Sequence, residues 1–334
     1  MAYPITNVTQ QAGSIIDHIT NSVNVIASPE NRKNPAQQIL QNISIVVCAV
    51  TFFLGTMGNG LVIFFTTFRM KKTVSVVCFL NLAIADFIFT FLLIFRIVRL
   101  TLAFHWPFGR VMCKVDVTVF YINLFASLFL ITVISIDRLV IVKFPVWCQN
   151  HRNPRLASIV ASIVWILLLL FSLPYTIFKD TVNVKNAVHC KYNYDIDASM
   201  ATSITRFIIG FVLPLTVIVS CYTVILLHIR RNYTTMSNKP LKMIAAVIIV
   251  FFVCWFPYHI FSLLQLSIKY GGKNYFKDVV LIGKHFSTSI AIMNSCVNPI
   301  LYVFMGHDFK EKFWSSIQPM FENAFMEEPI QTQE

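Results

Sequence analysis

Charge is scarce in this sequence. Asp, Glu, Lys and Arg make up 13% of its 334 residues, where soluble domains usually carry about 25%. That shortage excludes a water-facing surface for most of the chain. With 56% hydrophobic residues and 31 Phe, lipid is the expected solvent. The alternating segments of about ten residues that a membrane β-barrel requires are also missing. Internal repeats, which a transporter built from paired halves would show, are absent too. His259 and His285 have no acid or nucleophile in helical register, so neither a metal cluster nor a catalytic pair is legible and no enzyme is expected. No nucleic-acid partner is expected. Residues 1–39 are polar and carry no apolar h-region, so they read as a flexible tail without a cleavable signal peptide.

What remains is long apolar runs. A membrane helix needs about 20 mostly apolar residues, and seven stretches qualify: 42–68, 74–99, 111–142, 156–178, 203–229, 241–267 and 278–304. Their Pro, Gly and Ser/Thr breaks are tolerated within a packed bundle. The predicted fold class is all-α, a membrane-embedded seven-helix bundle over 40–305. Residues 306–334 add a short amphipathic helix and a cytoplasmic tail.

Sidedness comes from several weak signals. Asn7-Val8-Thr9 fits a glycosylation acceptor and places the tail outside; Asn42-Ile43-Ser44 also fits but adjoins the first span. Lys and Arg divide 13 to 14 between the two faces, so charge alone does not orient the chain. Of eight Cys, only Cys113 and Cys190 reach the outer face. Two cysteines in an oxidising compartment make a disulfide the expectation, against two free thiols.

Several polar residues sit where lipid penalises them. A central Asp costs about 2.5–3.5 kcal/mol on insertion scales, so Asp86 must face inward with partners. Asn123 and Ser127 share one helix face by their spacing of four, and Asn294 and Asn298 repeat it. With Asn59 they could surround a small cation, a possible allosteric sodium ion, or form a plain hydrogen-bond network. "DRL" (Asp137–Leu139) closes the third span, "CWFP" (Cys254–Pro257) interrupts the sixth, and "NPILY" (Asn298–Tyr302) interrupts the seventh. Pro214 lies in the fifth, with Tyr222 two turns on.

In this order on seven spans, these features resemble the rhodopsin-like G-protein-coupled receptors. The matched positions are Asn59, Asp86, Cys113, Asp137 with Arg138, Trp165, Pro214, Trp255 with Pro257, and Asn298 to Tyr302, including Pro299. The resemblance implies that Asp137 restrains Arg138 at rest. Arg138 is freed when the sixth helix swings out, and then lines the G-protein cavity with Tyr222 and Tyr302. Trp255 would be the packing switch and Asp86 the sodium-site acid. Leu139 stands where Tyr is usual. A light sensor would need a Lys six residues before the Asn-Pro pair, and that position is Ile292.

"HWPFG", "NLFASLFL", "PVWCQNHR", "TRFIIGF", "NSCVNPILYVFMG" and "DFKEKF" narrow the resemblance to the chemoattractant receptors, near the formyl-peptide receptors and the chemerin receptor. The formyl-peptide group holds its ligand with an Asp in the third helix and two Arg in the fifth. Here Arg206 matches one Arg, while Tyr121 and Thr202 occupy the other positions, and Ile94 replaces a Pro. A lone Arg suits a carboxylate anchor, because its planar fork pairs bidentately.

The outer face carries 14 Lys/Arg against seven acids, which attracts anions. Arg96, Arg99, Arg206, Lys269 and Lys284 are candidates around the mouth, although Arg99 and Lys269 could instead snorkel. Tyr258, His259 and Gln265 are candidate pocket wall. The expected agonist is an extracellular peptide with an anionic or free C-terminal end; a prostaglandin-type lipid carboxylate is the alternative.

On the inner side, 230–242 reads as a short basic loop. "DFKEKF" opens an amphipathic stretch with Phe309, Phe313 and Trp314 facing the bilayer. Few hydroxyls come after it (Ser315, Ser316, Thr332), so weak arrestin recruitment is expected. The family favours a heterotrimeric G protein of inhibitory type at the plasma membrane.

Overall fold

The computed structural model describes residues 35–184, 187–193, 195–232, 238–270 and 276–305. Helices α1 (Pro35–Phe68), α2 (Val74–Thr101) and α3 (Gly109–Lys143) come first, then a short α4 (Pro145–His151) and α5 (Pro154–Ile177). A β-hairpin, β1 (Lys179–Val184) and β2 (Ala187–Tyr192), precedes α6 (Ile196–Phe207). A π-helical turn (Ile208–Val212) leads into α7 (Leu213–Asn232), followed by α8 (Asn238–Lys269) and α9 (Lys277–Met305). Asn7, the stretch 306–334 with its hydroxyls, and the Tyr302 side chain lie outside the described residues.

Local chemistry sets the helix starts. The Thr73 hydroxyl accepts from the Val76 N–H at 3.3 Å, and Asn153 caps Leu156 at 2.9 Å with Pro154 as the first helical residue. Both follow the preference for Ser, Thr, Asn or Asp at the cap and Pro just inside it. Pro35 opens α1 in the same way, so the helix reaches back into the stretch read as tail; its Gln residues are good helix formers.

Among the described residues six segments are long and apolar enough to cross a membrane, the fifth running continuously over Asp197–Arg231 through the π turn. The 29-residue α9 is long enough but more polar. Ser287, Ser289, Asn294, Ser295 and Asn298 are all buried inside the bundle, where protein and not lipid meets them. Apolar side chains meanwhile point outward: Phe53, Ile166, Leu227 and Val253 are each more than half exposed. In water such a surface would aggregate; in hydrocarbon it is solvated. The centre is filled by Leu82, Leu124, Phe125, Leu128, Leu168, Phe251 and Trp255, none above 2% exposed.

Four expectations need correction. The fifth span begins at Ile196, not 203, because Asp195 caps it through a bond to the Ala198 N–H. The basic loop over 230–242 is shorter, since α7 runs to Asn232 and α8 starts at Asn238. Pro257 and Pro299 do not interrupt their helices; α8 and α9 run through them. Pro299 has no N–H for the Ser295 carbonyl, but Asn59 Nδ2 supplies one at 2.8 Å, the kind of substitution that lets proline sit in a membrane helix. Pro214 acts differently. Its missing N–H falls where the π turn ends, and the Leu213 N–H reaches back five residues to the Ile208 carbonyl. The hairpin is a fourth departure, a small antiparallel addition to an all-α bundle.

Helices α1 and α2 touch at Gly55, where an added Cβ would stand 2.5 Å from Thr90 Cγ2. Thr90 is fully buried, so the neighbour has nowhere to go. Gly55→Leu should therefore cost about 1–3 kcal/mol by overpacking, read as a lowered unfolding temperature in detergent, while Gly109→Ala, with open space around its Cβ, should be limited by its positive φ alone.

Candidate functional site

The π turn and the long α6 place polar residues on one face. Ser199, Thr202, Ser203 and Arg206 are spaced three and four apart, and all line a cavity of about 620 Å³ at the disulfide end of the bundle. Tyr121 of α3, Tyr192 of β2, Tyr258, Ser262 and Gln265 of α8, and Lys284 of α9 complete its working wall. Among the described residues the lining includes four cations, Arg206, Lys269, Lys277 and Lys284, and no acid. Of the residues expected to surround the ligand, Arg206, Tyr121, Thr202, Tyr258, Gln265, Lys269 and Lys284 converge here.

Arg206 is 8% exposed. It donates to the Tyr121 hydroxyl at 2.8 Å, and its guanidinium lies 5.5–5.8 Å from the ring centroids of Tyr258, Tyr121 and Tyr175. Tyr121 stacks on Tyr175 at 3.6 Å, which fixes the phenol that Arg206 uses. Each ring face offers about 0.5–2 kcal/mol to a cation. Arg206 Nε is buried with no hydrogen-bond partner. Lys284 is held by neutral acceptors, the Ser262 hydroxyl and the Tyr258 carbonyl, with its Nζ 3.4 Å from the Tyr258 centroid.

The lid over this cavity is pinned by chemistry. Cys113 and Cys190 are bonded, tying β2 to the start of α3. Trp106, buried in "HWPFG", donates its backbone N–H to Val188 at 2.7 Å, and Arg110 pairs with Asp180 at 2.8 Å. Tyr192 lies two residues beyond Cys190, and its hydroxyl reaches Tyr121 at 3.3 Å.

Arg96, Arg99 and His259 do not line the cavity. Arg96 lies over the Phe120 ring at 5.2 Å and Arg99 over Phe104 at 5.9 Å; buried nitrogens of both have no partner. They form a second cationic group with Lys179 of β1, whose ammonium sits 3.9 Å from the Tyr192 centroid. Burial, reinforced by repulsion from Arg99 and Arg96 and opposed by Asp116, brings the Lys179 pKa down to about 7. His259 is buried among Phe207, Phe211 and Tyr258 instead.

Below the cavity an aromatic relay descends. Tyr258 meets Trp255 at 5.6 Å, and Trp255 meets Phe120 and Phe251, each at 6.0 Å. Beneath it lies Asp86, fully buried. Asn123 and Asn298 donate to its two carboxylate oxygens at 2.7 and 2.8 Å, and Ser295 donates to Asn123 at 3.1 Å. Ser127 Oγ, Asn59 Oδ1 and both amide atoms of Asn294 are buried without partners. The oxygens among these are hard donors, the type that suits an alkali cation.

At the opposite end the ion pair differs from expectation. Asp137 does not pair with Arg138. Arg152, entering α5, donates from two nitrogens to both Asp137 oxygens at 2.8 and 3.0 Å, while Arg138 donates to the Ser75 hydroxyl. Adjacent helix residues point in different directions, and α4 carries Arg152 back onto the acid. Tyr222 packs nearby against Cys78 and Ile134.

A family model described as "7 transmembrane receptor (rhodopsin family)" matches residues 58–302. The chain belongs to that family. It is 39% identical over 331 residues to chemerin-like receptor 1 of Sus scrofa, covering 93% of this chain and 90% of that one. It is 40% identical over 303 residues to chemerin-like receptor 1 of Homo sapiens, covering 85% and 80%. Formyl peptide receptor 2 of Mus musculus is 40% identical over 317 residues, covering 88% of each. This receptor is thus a multi-pass plasma-membrane protein of the chemoattractant type, a signalling protein and not an enzyme. Its partners are an extracellular ligand and a G protein.

The receptor's site also contains residues that have no counterpart among the sequence-based candidates. Tyr192 was within reach, since a disulfide at Cys190 fixes its immediate neighbours. Ser262, Lys277, Lys179 and Arg152 carried no local signal, because their importance comes from what lies across from them.

Two outcomes are expected. Arg152→Ala leaves Asp137 without its forked partner, and a hydrogen bond to a charged group is worth about 1.5–3 kcal/mol; the unfolding temperature should drop, and Arg152→Lys should recover only part of it. Lys179, whose pKa falls from 10.5 to about 7 on folding, binds fewer protons folded than unfolded between those values. Stability should then rise with pH from 7 toward 10, and Lys179→Met should flatten that rise in thermal scans across the same range.

Proposed function

We propose that this receptor responds to an extracellular peptide whose free C-terminal carboxylate seats on Arg206, and that it signals through an inhibitory-type G protein. The observation that carries the reading is Arg206 itself: buried, fixed by Tyr121, with an unpartnered Nε, in a cavity that no acid among the described residues lines. A membrane protein bears such a charge only when it is compensated, and a planar carboxylate is the natural complement of a guanidinium fork. The N-terminal tail is outside, because the bonded Cys113 and Cys190 belong in an oxidising compartment. Asn7 would then be open to glycosylation.

Peptide is preferred to lipid because Ser199, Ser203, Gln265, Lys269 and Lys277 present hydrogen-bonding groups along the wall up to the mouth. These suit backbone amides better than an acyl chain. The formyl peptide receptors among the relatives, named for a peptide ligand, agree with this choice. Ligand pressure on Tyr258 reaches Trp255 directly. Movement of α8 there would open the cavity beside Arg138, with Tyr222 and Tyr302 as its other walls. A sodium ion at Asp86, with Ser127 and Asn294 as further oxygens, would hold the resting state. Arrestin recruitment through Ser315, Ser316 and Thr332 would be weak.

The test is G-protein dissociation in cells, using peptide pairs that differ only in a free or amidated C-terminus. Losing one partner of a buried charge pair costs about 2–5 kcal/mol, so amidation should raise the effective concentration at least tenfold. Arg206→Ala should erase the difference between the pair. Response to amidated peptides alone, or to fatty-acid mediators alone, would reject the reading.

A further inference from the structure

A single carboxylate neutralises one cation, and this cavity holds two that are deep in the protein. Lys269 and Lys277 are exposed, so water compensates them. Arg206 and Lys284 are enclosed, and each is bonded only to neutral oxygens. Among the described residues the ion pairs are Arg110 with Asp180 and Arg152 with Asp137; neither involves this cavity. Two enclosed cations without a counter-ion are costly together, since each raises the cost of the other.

Their placement specifies what completes them. The Lys284 ammonium is 3.4 Å from the Tyr258 centroid and the Arg206 guanidinium 5.5 Å from the same point. The two charges therefore stand no farther apart than the sum of those distances, about 9 Å. The two carboxylates of a C-terminal Asp or Glu are separated by roughly 4–5 Å from bond lengths alone. Adding about 2.8 Å for a charged hydrogen bond at each end lets one such residue reach both cations at any separation up to that limit.

Resting on the assignment of Arg206 to the terminal carboxylate, we infer that the receptor's ligand ends in an acidic residue. Its α-carboxylate is taken by Arg206 and its side-chain carboxylate by Lys284, on either side of the Tyr258 contact. Lys284 has a donor to spare for this, because an ammonium carries three N–H groups and two acceptors are in place. Lys284 becomes the residue that selects the identity of the last side chain, while Arg206 selects a free terminus.

The experiment needs no known agonist. Purified full-length receptor in lipid nanodiscs is heated with millimolar acetyl-Gly-Phe-Asp, acetyl-Gly-Phe-Asn, and the C-terminal amide of each. Binding to the folded state raises the unfolding temperature in proportion to occupancy, and titration yields the apparent affinity. The Asp peptide with a free terminus should bind at least tenfold more tightly than the Asn peptide. Lys284→Gln should abolish that Asp-over-Asn preference yet leave the preference for a free terminus, and Lys284→Arg should retain both. Equal affinity for the free Asp and Asn peptides, or an Asp preference that survives in Lys284→Gln, overturns the acidic-residue inference and leaves the Arg206 assignment standing. No advantage of free over amidated termini, or no shift with any peptide, overturns that assignment and this inference with it.

Discussion

In hydrocarbon a polar group has no water to fall back on, so each one must find its partner inside the protein. That constraint organises this receptor along its length. Asn59 donates to the carbonyl that Pro299 leaves free, and Asn123 and Asn298 close over Asp86. The proline that would break α9 in water becomes a joint between α1 and α9. The acid that would be prohibitive alone becomes the point where α2, α3 and α9 meet. Ser127, Asn294 and the Asn59 Oδ1 are left without partners and stand out against the satisfied bonds of Asp86, Asn123 and Asn298.

The same constraint separates the two ends by how charge is compensated. At the Asp137 end the acid has its cation within the chain, in a two-point bond from Arg152. Arg138 is then left to Ser75, so the restraint on it is a neutral hydrogen bond and not an ion pair. In the cavity at the disulfide end the lining cations have no acid among the described residues, and aromatic faces and neutral oxygens hold Arg206 and Lys284. A surplus of positive charge facing a cavity favours anions there. Tyr258 belongs to that cavity and also touches Trp255, so the described contacts connect charge recognition to the packing of α8 without an intermediate layer.

The formyl-peptide pattern of one acid and two arginines is altered here in a coherent way. Tyr121 and Thr202 occupy the other two positions, and both lie in the cavity with Arg206. A phenol that accepts from Arg206 takes the place of a carboxylate that would neutralise it. The guanidinium therefore remains charged toward the ligand.

Composition and run length alone determined the membrane setting, the number of spans and most of their limits, because hydrocarbon thickness dictates helix length and expels charge. Short motifs at their spacing determined the family, since Asp137-Arg138, Trp255 with Pro257, and Asn298-Pro299 are read locally. Cys113 and Cys190 could be paired from sidedness. Tertiary structure decided everything that depends on a residue far away in the chain. It placed Arg152 and not Arg138 on Asp137, carried α6 up to Ile196 through its Asp195 cap, and set Arg96 and Arg99 apart from the main cavity. It also brought Lys284 and Arg206 to one tyrosine across 78 residues of sequence. Side-chain charge is written in the sequence, but its compensation depends on distance, and distance between helices exists only once they pack.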